Sequence, residues 1–174
     1  MEWTGARYAD GPTAQVRTWV DAAPRRVWEL VSDVDLMPSL SAELQSIEWV
    51  DGATCPALGA RFVGRSTHEA LGEWSTTSCV VEFEPPRVFA WEVQGFDAPS
   101  ARWRFTVESA DGGTWLQEWM RMGPGRSGLS LAIDRMPEKE QKIVFVRMRE
   151  FERNMTATVE AIKELAEGAA RVDA

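Results

Sequence analysis

Two side chains in this sequence are placed where proton chemistry is conceivable. His68 is the only histidine, and histidine is the side chain whose ordinary pKa lies nearest neutrality. It sits two residues after Ser66 in the β-like stretch GARFVGRSTHE, so the two share a face. On an inward face His68 could act as a general base or orient a substrate hydroxyl. The competing reading, which we prefer, is a surface histidine near a strand end, in the company of Glu69 and Glu73, since no third group is seen to orient a Ser–His pair. Glu118 lies in TWLQEWMRM between Leu116 and Met120. If those two point inward, the carboxyl does too, and a buried carboxylate must be paired, hydrogen-bonded or raised in pKa. It then serves as an acid/base, as a polar anchor for a ligand hydroxyl, or as the ion-pair partner of an arginine such as Arg61, Arg147 or Arg149. All three readings stay open.

Other chemistries find no support. Cys55 and Cys79 are the only cysteines, with no C-x-x-C or Cys/His ligand spacing, so neither a metal site nor a disulfide framework is expected. No phosphate-cradling G-x-x-x-x-G-K-S/T loop, no G-x-G-x-x-G after a strand and no G-x-S-x-G elbow occurs, and no cofactor is expected. A net charge of −8 opposes nucleic-acid binding and attachment to an anionic membrane face. No window of about 18 apolar residues suggests a membrane span. The simplest expectation is a reduced, cytoplasmic protein, and nothing in the sequence sets an oligomeric state. Nine Trp and seven Phe against a single Tyr supply large apolar surfaces that either fill a core or line a ligand cavity.

The elements that must position these residues follow from periodicity. Residues 1–12 lack a pattern and contain Gly and Pro, as expected of a loosely held arm. Val16, Thr18 and Val20 alternate as a first strand. Pro24 opens a helix carrying Val27, Trp28, Leu30 and Val31 at helical spacing, and DLMPSLSAEL reads as a second short helix turning Met37, Leu40 and Leu44 inward. Six more strands follow with a turn signal every ten to fifteen residues or so, as in an antiparallel meander. Residues 138–167 contain no Gly or Pro, and Val144, Met148, Phe151, Met155, Val159, Ile162 and Ala166 draw one apolar stripe along them. Residues 126–137 suggest a short helix or lid. The result is one α+β domain over residues 13–167, with a tail from 168 to 174: a curved, seven-stranded antiparallel sheet with a long C-terminal helix across its concave face.

Strand parity then names a candidate pocket wall. Phe62, Gly64, Ser66 and His68 share a face; beside them come Trp74, Thr76 and Ser78, then Phe89 and Trp91, then Trp103 and Phe105, and last Leu116, Glu118 and Met120. Met37 and Leu40 from the second helix, with Met148, Phe151 and Met155 from the long one, would close it. Glycine at 64 would leave room on a concave face for a ligand or the helix. A one-residue slip would turn each set outward, and the charged Arg102 and Arg104 should face water.

Several strings carry a resemblance. VRTWVDAAPRRVWELVSDV, LGARFVGRS, CVVEFEPPRVFAWEV and ARWRFTVESADGGTWLQEW, in this order, resemble the SRPBCC (START/Bet v 1-like) superfamily of helix-grip proteins, in its polyketide cyclase/dehydrase-like branch. The resemblance spans about residues 13–167. It implies the helix-grip fold and a cavity between sheet and long helix that takes a hydrophobic, aromatic or polycyclic small molecule, for transport or sequestration. It equally allows an aromatase/cyclase-type enzyme that folds a poly-β-carbonyl chain, or a co-chaperone-like interaction module with a filled core and an exposed apolar patch. Fold alone does not choose among them.

Overall fold

Alternating side chains draw the chain into seven strands separated by turn residues. The computed structural model describes residues 2–170. Strands β1 (Thr13–Val20), β2 (Leu44–Val50), β3 (Arg61–His68), β4 (Gly72–Glu84), β5 (Val88–Gln94), β6 (Pro99–Ala110) and β7 (Gly113–Met122) form one antiparallel sheet in the order β1-β7-β6-β5-β4-β3-β2. β2 to β7 run as a meander and β1 closes beside β7. Helices α1 (Pro24–Val31), α2 (Met37–Leu40), α3 (Gly128–Arg135) and α4 (Glu140–Ala170) complete the α+β helix-grip architecture.

α1 begins with proline at its first turn, where the missing N–H costs no helical bond, and buries Val27, Trp28, Leu30 and Val31. The second helix is shorter than expected. Asp33 caps a 3₁₀ turn at Val34–Leu36, and α2 follows as a single turn. The chain then leaves the helix at Ser41, whose Oγ accepts from the backbone N–H groups of Glu43 and Leu44 at 3.2 and 3.0 Å. That local bond competes with the helix, so Leu44 becomes the first residue of β2.

α4 lies along the concave face, packed chiefly beside β1. Its stripe behaves as the spacing predicts: Val144, Met148, Met155, Val159, Ile162 and Ala166 are buried, and Phe151 alone is half-buried. The helix continues through Gly168 to Ala170, so the tail expected from 168 is helical that far; residues 171–174 lie outside the described residues. No helix among the described residues is long and apolar enough to cross a membrane.

The arm expected to be loose is tied down from Gly5 onward. Tyr8 is 8% exposed and packs in a cluster with Ala14, Met120, Met122, Val144 and Met148. Its hydroxyl donates to the Gly125 carbonyl at 2.7 Å, and its backbone N–H reaches Glu140 Oε1 at 3.1 Å. Gln141 Nε2 donates to the Gly5 carbonyl at 2.7 Å. The arm carries no periodicity because single anchors, not a repeated face, hold it. The segment 126–137 forms α3, capped by Ser127, with Leu129 and Ile133 packed on the same cluster. It is a seated plug at that end of the sheet.

One irregularity decides which residues line the interior. A bulge between Val80 and Glu82 in β4 shifts parity by one. Beyond it Phe83 turns inward, against Trp28 and Phe89. Glu82 turns outward, pairing with Arg102 at 3.0 Å and Arg104 at 3.1 Å on the convex face. The two arginines thus face outward as expected, in an ion-paired cluster.

Candidate functional site

Three adjacent strands set Val16, Glu118 and Phe105 in one row across the concave face, because Val16 pairs with Glu118 and Phe105 with Glu118 in the sheet register. Leu116 and Met120, two residues to either side on β7, are fully buried. Met148 and Met155 of α4 pack with Met120, Val16 and Trp103 around this row. The carboxyl of Glu118 is therefore held in apolar surroundings and is 5% exposed. Its Oε2 is buried with no hydrogen-bond partner among the described residues. Removal from water pushes its pKa up to about 8.

The arginines that could have neutralised it are engaged elsewhere. Arg61 pairs with Asp51 at 2.7 Å, Arg147 with Glu43, and the Arg149 guanidinium lies 5.7 Å from the ring of Phe145. The ion-pair reading of Glu118 is thereby corrected. It stands as a lone, buried, predominantly protonated carboxyl near neutral pH.

Beside it runs an aromatic row. Trp91 and Trp103 stack at 6.4 Å with planes 11° apart. Phe105 and Phe89 lie 6.0 and 5.2 Å from Trp91, and Phe62 lies 6.4 Å from it. Phe151 of α4 meets Trp103 edge-on at 5.3 Å. The parity reading therefore brought these residues, with Leu116, Met120, Met148 and Met155, into one interior. Met37 and Leu40 are half-buried against the same core. Gly64 is buried, and a Cβ there would meet Leu44 Cδ1 at 3.0 Å. The space it leaves is filled by a neighbouring side chain.

The concave face opens toward the tip of the β3–β4 hairpin. Phe62, Ser78 and Val80 are buried, whereas Ser66, His68, Trp74 and Thr76 on the same face are half-exposed. His68 is not the surface residue expected beside Glu69 and Glu73. Its side chain is 22% exposed, and Nε2 lies 3.7 Å from Glu150 Oε1 on α4. Its Nδ1 accepts from the Ala70 N–H at 3.1 Å, so in the neutral ring the proton sits on Nε2. That nitrogen then faces Glu150 as a donor, which opposes a general-base role there.

Sequence reasoning missed the partners around it. Arg147, 9% exposed in its side chain, holds both oxygens of Glu43 at 2.6–2.7 Å and Glu150 at 3.0 Å. Asn154 donates to Glu43 at 3.1 Å. Only the spacing of Arg147, Glu150, Phe151 and Asn154 along one helix face was available as a signal; Glu43 comes from far away in the chain. Glu43, His68 and Glu150 each offer a ligand atom within 4.8 Å of the others. Arg147 hydrogen-bonds both oxygens of Glu43 and one of Glu150, so the carboxylates of this cluster are already tied to a cationic side chain.

Two depressions mark the outer surface. One of about 320 Å³ is framed by Arg61, Cys79, Glu92 and the Gly95–Pro99 loop. The other, of about 690 Å³, lies along the outer side of α4. Neither is between sheet and helix, where the side chains above pack against one another.

Residues 11–167 match the polyketide cyclase/dehydrase and lipid transport family. Among solved structures, a polyketide cyclase-like protein from Corynebacterium glutamicum is 27% identical with a TM-score of 0.61, covering 89% of this chain and 91% of that one. The aromatase/cyclase Zhui from Streptomyces sp. R1128 is 18% identical with a TM-score of 0.59, covering 90% and 93%. The di-domain aromatase/cyclase StfQ of the steffimycin biosynthetic pathway is 14% identical with a TM-score of 0.69; the match covers 91% of this chain and 51% of that one. No curated protein matches.

Proposed function

The chain belongs to the polyketide cyclase/dehydrase and lipid transport family, and on that premise we propose that it binds a hydrophobic, aromatic or polycyclic small molecule between its sheet and α4, with Glu118 as the polar anchor. The observation that carries this reading is the lone carboxyl. A protein needing only a filled core would be more stable with an apolar residue at 118, since an unpartnered buried polar group costs about 1–3 kcal/mol. Such groups concentrate where a ligand uses them. A protonated carboxyl offers one O–H to a ligand carbonyl and one oxygen to a ligand hydroxyl. Trp91, Trp103, Phe105 and Phe151 offer flat surfaces to rings, and Met120, Met148 and Met155 are the side chains best able to repack around a guest.

A cyclase/dehydrase activity is the second reading, and the pKa of Glu118 favours it. A carboxyl titrating at about 8 can give and take a proton near neutral pH. Glu118, the one buried acid among the described residues, would have to serve enolisation and loss of water in turn, with the side chains that repack around the substrate holding its chain in shape.

The test is titration of the protein with a neutral, carbonyl-bearing fluorescent aromatic such as 6-propionyl-2-(dimethylamino)naphthalene, following quenching of tryptophan emission. Saturable binding that weakens by about tenfold in Glu118→Leu for a carbonyl-bearing ligand, the equivalent of one hydrogen bond, supports the anchor. Equal affinity in both proteins refutes it.

A further inference from the structure

We propose that the mouth of the sheet–helix interior lies at the tip of the β3–β4 hairpin and that Arg147 latches it shut through Phe151. This rests on the binding reading above and adds how the ligand gains access. Along β3 and β4 the concave face passes from buried (Phe62, Ser78) to half-exposed (Ser66, Trp74), so solvent reaches the interior from this end. α4 leaves its gap at the same place. Phe151 is the one residue of its apolar stripe that is not buried, and it leans edge-on against Trp103, which stacks on Trp91. Moving Phe151 aside would expose the aromatic row that leads toward Glu118.

What holds Phe151 is a cation. The Arg147 guanidinium lies 4.2 Å from the ring centre, over its face. The same guanidinium is forked onto both oxygens of Glu43 and bonded to Glu150. Glu43 stands just before β2, so the fork ties the α2–β2 segment to α4 across the mouth. Asn154 on Glu43, and Thr158 Oγ1 donating to the Leu40 carbonyl at 3.3 Å, run along the same seam. His68 at the hairpin end faces Glu150 from the third side. A bidentate, largely dehydrated pair gives the latch a defined closed geometry, and loss of one carboxylate charge lets the guanidinium swing away and the ring follow.

The experiment is stopped-flow uptake and release of N-phenyl-1-naphthylamine, an uncharged probe, by wild-type protein, Glu43→Gln, Phe151→Leu and the double variant, each shown folded by circular dichroism. The latch predicts that Glu43→Gln speeds association and dissociation together by about tenfold, the size of one charge-assisted hydrogen bond removed from a barrier, while Kd changes little. Phe151→Leu should speed association by a similar factor, while its Kd shifts as well because the same ring faces the ligand. The double variant should be no faster than either single one, since both changes release one device. Rates equal to wild type in folded Glu43→Gln, or weakened affinity at an unchanged association rate, overturn the latch and leave the binding reading standing. Absence of saturable binding by the wild-type protein overturns the binding reading and the latch with it.

Discussion

Glu118 makes a stability prediction that needs no knowledge of the ligand. Its carboxyl titrates near its ordinary 4.5 when unfolded and at about 8 when folded. Between those values the folded protein holds a proton that the unfolded chain has released, so raising the pH favours unfolding. Stability attached to this group is fully present below about pH 4.5 and falls by roughly 1.4 kcal/mol per pH unit until about pH 8, a total of about 4–5 kcal/mol. Glu118→Leu keeps the volume roughly constant and removes the titration. Because a protonated carboxyl without a partner is also unfavourable, by about 1–3 kcal/mol, the variant should be at least as stable at pH 5. It should then draw ahead as the pH rises. Urea unfolding of both proteins at pH 5, 6, 7 and 8, followed by circular dichroism, measures the difference, and every other titrating group cancels between them. A gap widening by at least about 2 kcal/mol from pH 5 to 8 confirms a dry, unpaired carboxyl. Two parallel curves would refute the reasoning, because Glu118 would then be ionised and solvated, or paired, in the native state.

Three further outcomes are expected. Tyr8→Phe removes the hydroxyl that donates to the Gly125 carbonyl and should cost about 1–2 kcal/mol in urea unfolding; no loss would mean the arm is not anchored. Arg147→Met leaves Glu43 and Glu150 without their cation and should cost about 3–5 kcal/mol, read as a lowered thermal midpoint, and Glu43→Gln should cost less. Gly125→Ala drives a Cβ into the Ala98 carbonyl, a clash with backbone that should give one of the largest losses of any single substitution here, above about 4 kcal/mol; full stability would show that Gly125 does not pack against the Ala98–Pro99 backbone.

Much of the fold was legible because its signals are local and periodic. Alternation in Phe89/Trp91 and Trp103/Phe105, the proline at the start of α1, and the three-and-four stripe of α4 are each written within one element. The single bulge in β4 lies beyond Trp74, Thr76 and Ser78, so the parity of the proposed wall survived it. Where a single polar contact overrode the pattern, reading failed: Ser41 ended the second helix early, and Tyr8 anchored an arm that shows no repeat.

The candidate site divides along the same line. The inward direction of Glu118 followed from its place between Leu116 and Met120, and that much the sequence determined by itself. Whether the carboxyl would meet a cation depended on where distant arginines come to rest, and tertiary structure alone decided it. Arg61 is drawn to Asp51 across the β2–β3 connection, and Arg147 to Glu43, 104 residues earlier in the chain. Periodicity reports which face a residue occupies, because backbone geometry sets that residue by residue. It carries no information about partners across the fold, since an ion pair depends on positions fixed only when all seven strands and α4 have closed around one another.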